Sequence, residues 1–305
     1  MITALAGGVG AAKLLAGLSK IIRQDDLTVV VNAGDDIQLH DLHISPDLDT
    51  IMYTLAGVVD EQKGWGIKGD TFQFLDAVNK LGLDSWFAVG DRDLATHVYR
   101  TELLRQGKLL SEVTAALCHV FGVAAKILPM TDDPFETRIV TEVGAIHFQE
   151  YLVKRHAQDR VLGVEFVGAD VAEPATGVVD AVLDAELVVV CPSNPVVSIG
   201  TILSVAGVRD ALRRSGARRV AVSPIVAGAA VKGPAAELMC GLGLEVSAYS
   251  VAKLYADFLD VFVIDSVDLA EKERIEKLGV EVRVANTIMR TLDDKVNLAR
   301  VVLEA

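Results

Sequence analysis

The sequence has few of the features that mark several large classes of protein. Its three cysteines, Cys118, Cys191 and Cys240, are far apart and lack metal-ligand spacing, which is typical of reduced thiols in a cytoplasmic protein. No run approaches 18 uninterrupted apolar residues, so we expect no membrane span. Acidic residues outnumber basic ones by 42 to 29, giving a net charge of −13. This balance argues against a nucleic-acid-binding surface and disfavours an anionic membrane.

Complete nucleotide-binding signatures are also missing. Gly7-Gly8-Val9-Gly10 follows a short strand-like segment and opens a helical one. Gly8 and Gly10 match the start of the dinucleotide fingerprint, but Lys13 stands where the third glycine belongs, and no Walker Gly-Lys-Ser/Thr is present. Glycines at a helix N-terminus let backbone amides approach an anion. We interpret this glycine loop as a phosphate site with Lys13 nearby, or as a tight turn with Lys13 in solvent.

What the chain does have is ample hydrophobic material, 51% of its residues, set out as apolar strands alternating with helical segments. Strands such as Leu27–Val31 and Leu187–Cys191 end at polar loops, and after a less regular middle region the alternation resumes at Val161–Val167. This pattern predicts an α/β fold with a doubly wound, mostly parallel sheet that has helices on both faces. We expect a single domain over residues 1–305, in which a more helical insertion over about 60–160 covers the carboxyl ends of the strands.

Four aspartates follow the Leu27–Val31 strand: Asp35, Asp36, Asp47 and Asp49. Ligands bind beyond the carboxyl ends of strands in open α/β sheets. Carboxylates gathered there repel one another unless a cation lies among them, and Mg²⁺ beside a phosphate is the simplest candidate. In the alternative interpretation, Asp47 or Asp49 caps a helix that we predict from Thr50.

Aromatic and charged residues mark a second group of candidates. Trp65 lies between two glycines, where it either covers a surface cluster or offers its ring to a flat ligand. A predicted strand, Trp86–Gly90, runs into Asp91, Arg92 and Asp93, and His97 lies at the i+4 position from Asp93. This run is either a solvated ion pair at a helix start or a polar cluster that orients a substrate hydroxyl.

Two strands end in loops that combine serine with proline. In Pro192-Ser193-Asn194-Pro195, the prolines remove backbone donors and restrict the residues before them, so Ser193 and Asn194 lie in a stiff loop. Ser223-Pro224 repeats the arrangement after another apolar strand. We expect Ser193, Asn194 and Ser223 to face a ligand.

Taken together, the motifs resemble the 2-phospho-L-lactate transferase family, which acts in the biosynthesis of the deazaflavin coenzyme F-420. The resemblance runs nearly end to end and is weakest over the last forty or so residues. The segments that carry it are Ala6–Gly10, Asn32–Asp36, Ser45–Thr50, Tyr53–Gly57, Gly64–Gly66, Gly90–His97, Phe148–Tyr151, Pro192–Gly200 and Ser223–Pro224.

The resemblance implies transfer of a phospho-three-carbon acid from a guanosine diphosphate donor to the ribityl hydroxyl of the deazaflavin Fo, with release of GMP. It also implies a Rossmann-like core, Mg²⁺, small-molecule partners and a homodimer. On this chemistry the metal ligands are expected to be Asp35, Asp36, Asp47 and Asp49. Asp35, through the metal, and Asp49 or Asp91, as general base, are the catalytic candidates.

The remaining site residues divide between the two substrates. Phosphates are expected at Gly8, Gly10 and Lys13. The deazaflavin ring is expected at Trp65, Trp86, Asp91, Arg92 and His97. Guanine or its ribose is expected at Ser193, Asn194 and Ser223.

Two other functions compete with the transferase. A paralogous group resembles this chain in its glycine loop and doubled Asp and consists of nucleotide-sugar-binding regulators; we expect it to lack the Trp65, Asp91–His97 and Pro192–Pro195 segments. An NAD-dependent oxidoreductase would place a lone acidic residue about 20 positions after the glycines, whereas here a doubled Asp comes later. The sequence leaves open which acid is carried (lactate, glycerate or enolpyruvate), the number of metal ions and the dimer geometry.

Overall fold

The computed structural model describes all 305 residues, and its strands form one large sheet and three small ones. The strands are β1 (Ile2–Ala6), β2 (Leu27–Val31), β3 (Ile37–Leu39), β4 (Leu42–Ile44), β5 (Lys126–Pro129), β6 (Glu136–Thr141), β7 (Gly144–His147), β8 (Val161–Val167), β9 (Leu187–Val190), β10 (Arg218–Val222), β11 (Ile225–Val226), β12 (Ala229–Ala230), β13 (Val261–Asp265) and β14 (Glu281–Ala285).

Twelve α-helices accompany the strands. They are α1 (Gly8–Leu18), α2 (Pro46–Leu55), α3 (Gln73–Lys80), α4 (Asp91–Arg105), α5 (Leu110–Val120), α6 (Val178–Leu183), α7 (Ile199–Ser204), α8 (Val208–Arg214), α9 (Ala235–Gly241), α10 (Ala248–Tyr255), α11 (Lys272–Glu276) and α12 (Leu292–Leu303). No helix is both long enough and apolar enough to cross a bilayer.

The central sheet has seven strands, all parallel, in the order β14-β13-β10-β9-β1-β2-β5. Every residue of β2 is buried, as its run of Val predicts for a strand covered on both faces. Helices flank the sheet, and α1 packs against α2 and α12. This confirms the predicted Rossmann-like, doubly wound α/β fold.

The strand order reverses at β1. From β1 the chain proceeds to β2 and β5 on one side, whereas β9, β10, β13 and β14 extend on the other. The loops that leave β1 and β9 therefore diverge and open a crevice at the carboxyl edge of the sheet, which is where open α/β sheets bind ligands.

Three local predictions were wrong. Trp86–Gly90 is not a strand, because it has no neighbouring strand to pair with and lies in a loop before α4. β8 was expected to continue the parallel sheet, but it pairs antiparallel with β6 in the three-stranded sheet β7-β6-β8. Helix α2 begins at Pro46 instead of Thr50, since proline suits the first helical position. The single-domain organisation and the insertion over residues 60–160 stay predictions.

Candidate active site

A cleft of about 730 Å³ lies at the carboxyl edge of the sheet, lined by the loops that follow β1, β2, β9 and β10. Most of the site residues expected from the sequence line it. They are Gly8, Gly10, Lys13, Asp35, Asp47, Asp49, Trp65, Trp86, His97, Ser193, Asn194 and Ser223. Asp36, Asp91 and Arg92 are not among the lining residues.

The glycine loop is held tightly against its neighbours. A Cβ atom on Gly10 would lie 2.2 Å from the carbonyl oxygen of Pro192, and one on Gly7 would lie 2.8 Å from Oδ2 of Asp47. The Gly7 amide donates to Oγ of Ser193 at 3.0 Å. Helix α1 starts at Gly8, so the first amides of the helix, which lack intrahelical partners, lie at the cleft wall. The loop can therefore present N–H groups and the positive end of the helix dipole to an anion.

Beside this loop lie Asp35, Asp36 and Asp47, which we call the uncompensated cluster. Oδ1 of Asp35 and Oδ1 of Asp36 are buried without a hydrogen-bond partner. The neighbours that the cluster does have are polar or weakly basic: Asn32 donates to Oδ2 of Asp47 at 3.0 Å, and Nε2 of His43 lies 2.8 Å from Oδ2 of Asp36. No lysine or arginine forms an ion pair with any of the three carboxylates.

This arrangement raises the pKa values of two carboxyl groups in the cluster. Burial, followed by the charge of Asp47, raises the pKa of Asp35 well above its ordinary value. Burial likewise raises the pKa of Asp47 to about 6, although its bond to Asn32 opposes the shift. Buried carboxylate oxygens without partners are the ligands that Mg²⁺ prefers, so the residues present fit a hard divalent cation.

Asp49 belongs to a different group, the compensated cluster, with Asp93, His97, Arg100 and Tyr53. Arg100, only 1% exposed, contacts Asp49 through both terminal nitrogens, with Nη1 3.1 Å from Oδ2. Nδ1 of His97 is 3.6 Å from Asp49, and its Nε2 is 3.3 Å from Asp93. Tyr53 donates to Asp93 at 2.8 Å. The arginine neutralises Asp49, so the structure separates this residue from the other predicted metal ligands.

In the compensated cluster, the positive charges of Arg100 and His97 counteract the effect of burial on the pKa values of the two aspartates. Burial raises the pKa of Asp49, but the charges of Arg100 and His97 oppose the shift. At Asp93, burial acts in the same direction, yet the hydrogen bond and charge of His97 leave the pKa below its ordinary value. Ligand atoms of Asp49, Asp93 and His97 lie within 4.8 Å of one another, a spacing that also suits a metal, but the guanidinium already supplies the positive charge there.

Asp91 and Arg92 lie at the start of α4, away from the cleft lining. The Asp91 carboxylate accepts hydrogen bonds from the amides of Gln73 and Phe74, at 3.1 and 2.9 Å, and from Oγ1 of Thr71. The bond from Thr71, together with those amides, lowers the pKa of Asp91. Asp91 therefore caps the N-terminus of α3, and this geometry argues against its expected role as general base.

The serine–proline loops use much of their polarity internally. Ser193 accepts from Gly7, and Oγ of Ser223 donates to the carbonyl of Ile225 at 2.7 Å. Oδ1 of Asn194 accepts from the amide of Val196 at 3.0 Å. These bonds fix the loop shapes. Recognition of a nucleobase at this end of the cleft would therefore rely on the side-chain NH₂ group of Asn194 and on backbone atoms.

Several cleft residues did not emerge from the sequence. Phe87 lies beside Trp86, with ring centroids 5.7 Å apart in an edge-to-face arrangement. Tyr53 and Lys232 also line the cleft. Lys232 follows β12 in a loop with no motif around it. Asp93 lines the cleft as well, and the i, i+4 spacing of Asp93 and His97 places both in the predicted polar cluster.

These features place the chain among Rossmann-like α/β proteins whose ligand site lies at the carboxyl edge of the sheet. The chain belongs to the 2-phospho-L-lactate transferase family: the family model described as 2-phospho-L-lactate transferase CofD matches residues 2–297.

Relatives agree with this membership, and a solved structure agrees with the fold. A 2-phospho-L-lactate transferase of Methanosarcina acetivorans is 43% identical, covering 98% of this chain and 97% of its own. A phosphoenolpyruvate transferase of Streptomyces griseus is also 43% identical, covering 99% and 97%. A crystal structure of a UPF0052 family member from Bacillus halodurans matches with a TM-score of 0.66 at 15% identity, covering 99% of this chain and 98% of that one. The last likeness supports the fold alone.

Proposed function

We propose that this protein transfers a phospho-three-carbon acid from a guanosine diphosphate donor to the ribityl hydroxyl of the deazaflavin Fo, releasing GMP, in coenzyme F-420 biosynthesis. The observation that carries the proposal is that Asp35 and Asp47 of the uncompensated cluster line one cleft together with the glycine loop. A Cβ atom on Gly8 would lie only 3.6 Å from Oδ1 of Asp47, so an anion at the loop and a cation at the carboxylates would be neighbours.

Phosphoryl transfer of this kind depends mainly on positioning and on neutralising charge. Asp35, Asp36 and Asp47 would hold Mg²⁺, which when bound would neutralise the diphosphate and assist the departure of GMP. The amides of Gly8 and Gly10 and the ammonium group of Lys13 would bind phosphate oxygens. The chain then orients the donor so that the acceptor hydroxyl attacks phosphorus opposite the GMP oxygen.

The acceptor would lie on the aromatic side of the cleft. Trp65, Trp86 and Phe148 line this region, and a flat tricyclic ring stacks well on such side chains. Of the two base candidates, Asp49 faces the cleft and Asp91 does not. We therefore assign proton removal from the ribityl hydroxyl to Asp49, assisted by its buried partner His97.

The test is direct. Protein, Fo and Mg²⁺ are incubated with guanosine diphosphate donors carrying lactate, glycerate or enolpyruvate, and GMP release is followed by chromatography. We expect GMP with at least one donor and none when Fo or Mg²⁺ is omitted. Absence of GMP with every donor would reject the proposal, whereas binding of a uridine nucleotide-sugar without Fo binding would favour a regulator.

The identity of the acid is left to that assay. Relatives named for phospholactate and for phosphoenolpyruvate are equally similar to this chain, and acids that differ by one small substituent are discriminated only modestly unless a hydrogen bond is involved. The cytoplasmic location, expected from the composition, and the homodimer, implied by the resemblance, stay predictions.

A further inference from the structure

The two lysines that face the cleft have no acidic partners. Lys13 of α1 and Lys232, in the loop after β12, both line it, and neither lies within ion-pair distance of a carboxylate. Lysines close by behave differently: Lys63 lies 3.7 Å from Asp60, and Lys295 lies 3.7 Å from Glu61. In a chain with a net charge of −13, two unpaired ammonium groups facing one cleft need a physical reason.

Lys232 reaches across the mouth of the cleft to the loop that carries Trp65. Its Nζ donates to the carbonyl oxygen of Lys63 at 3.0 Å. A Cβ atom on Gly64 would lie 3.3 Å from that Nζ and 2.7 Å from Cγ1 of Val9. The Lys232 ammonium group, the Trp65 loop and the glycine loop therefore meet at one place, one helical turn before Lys13.

The two ammonium groups are close enough to affect each other. Partial desolvation of its ammonium group, followed by the charge of Lys13, lowers the pKa of Lys232. An ammonium group has three donors, and only one of those on Lys232 is used, by the carbonyl of Lys63. Like charges side by side are unfavourable unless an anion lies between them, and phosphate oxygens satisfy such donors well.

We propose that Lys13 and Lys232 form a lysine clamp, which binds the diphosphate of the donor from the side opposite the uncompensated cluster and fixes the Trp65 loop over it. The clamp rests on the proposed function for the identity of the donor, but its affinity for a diphosphate does not depend on turnover. Lys13 lies on α1, which packs on the central sheet, whereas Lys232 lies on a separate loop after β12. An anion bound to both would hold the two segments together.

The first experiment measures binding without catalysis. GDP with Mg²⁺ is titrated calorimetrically into the wild type, K232Q, K13Q, K232R and K20Q. Loss of one charge-assisted hydrogen bond should raise the Kd about tenfold in K232Q and in K13Q. K232R, which keeps the charge, should retain most of the affinity. K20Q is the matched control, because Lys20 lies just beyond α1, outside the cleft lining, and its loss changes the net charge equally.

The second readout follows the loop itself. The chain has two tryptophans, so a W86F background leaves Trp65 as the sole tryptophan reporter. GDP should change Trp65 fluorescence when Lys232 is present and should fail to do so in K232Q at saturating GDP. Lys232 is exposed, so the variant should melt at the wild-type temperature.

The outcomes separate the two proposals. A Kd for K232Q equal to that of the wild type, or a loss in K20Q as large as in K232Q, would overturn the clamp. If GDP binding depends on both lysines but no donor releases GMP, the clamp stands and the proposed function fails.

Discussion

Two groups of carboxylates lie at the same cleft, each with members that line it, and they differ in how their charge is neutralised. In the compensated cluster, Arg100 contacts Asp49 and His97 lies between Asp49 and Asp93. In the uncompensated cluster, Asp35 and Asp36 each keep an oxygen with no partner. Burying a carboxylate without a cation or donors is costly. The chain supplies one cation itself, and on our proposal it leaves the other to be bound as Mg²⁺.

The two clusters are separated by only one residue of sequence. Asp47 and Asp49 stand at i and i+2 in the first turn of α2, and residues two apart on a helix do not face each other. Asp47 therefore turns toward Asn32 and the glycine loop, whereas Asp49 turns toward α4 and Arg100. Helix geometry alone sends neighbouring acids to different partners.

Removing the internal cation should have the largest effect. We expect R100M to lower the free energy of unfolding by about 3–5 kcal/mol, because Asp49 would remain buried without its partner. Urea denaturation monitored by circular dichroism measures this change. The double variant D49N/R100M is the control and should recover a substantial part of the loss, since the orphaned charge is gone. Equal stability of R100M and wild type would mean that Asp49 is already neutral.

Removing a carboxylate from the uncompensated cluster should lower activity and should not lower the stability of the metal-free protein. D35N is expected to reduce GMP release by about 10²–10³-fold, because it weakens the site for the cation that would neutralise the diphosphate, and loss of one electrostatic contribution to the transition state commonly has this effect. The metal-free protein should become no less stable, because a buried repulsion between carboxylates is relieved. Activity assays, together with melting curves with and without Mg²⁺, test both parts.

The exposed Asp26 provides the matched control for D35N. D26N removes the same charge outside the cleft and should leave activity and Mg²⁺ response unchanged. A D35N protein that keeps full turnover and still gains stability from Mg²⁺ would place the metal elsewhere, with Asp49, Asp93 and His97 as the next candidates.

The sequence predicted where the acids lie, because an apolar run such as the one ending at Val31 marks the end of a strand. The sequence did not predict that these acids divide into a compensated and an uncompensated cluster. Starting α2 at Thr50 left Asp47 and Asp49 together in a loop, and only a helix from Pro46 gives them separate faces. Arg100 lacked any signal, because it lies 51 residues from Asp49 and its burial depends on how α4 packs.

The same limit explains the mistakes in the fold. Apolar alternation located β8 correctly, but whether a strand joins the parallel sheet or a separate antiparallel one depends on tertiary pairing. Trp86–Gly90 has strand-like residues without a strand to pair with. The glycine loop and the serine–proline loops were located because their backbone chemistry is local.

A pH titration sharpens the contrast between the clusters. Asp47 has a folded pKa of about 6, above the value near 4 of an unfolded aspartate. An acidic group whose pKa is raised by folding stabilises the fold at pH values below its unfolded pKa. That contribution is lost as the pH rises through its folded pKa. Metal-free protein should therefore lose about 1–3 kcal/mol from this group between about pH 4 and pH 7.

Melting curves in a chelator measure this loss, and D47N should lack it. Mg²⁺ should counteract the loss in the wild type, because the cation favours the ionised carboxylates. An identical pH profile for D47N and wild type would show that Asp47 is ionised at low pH and already has a cationic partner.

The smallest effect is expected at Asp91, the acid that belongs to neither cluster. D91A removes the cap of α3, whose first amides then lose their acceptor. We expect the melting temperature to fall slightly and GMP release to stay near the wild-type rate, while D91N, which keeps an acceptor oxygen, should melt closer to the wild type. If D91A instead lost activity by orders of magnitude at an unchanged melting temperature, the general base would be Asp91, and Asp49 would serve only to balance Arg100.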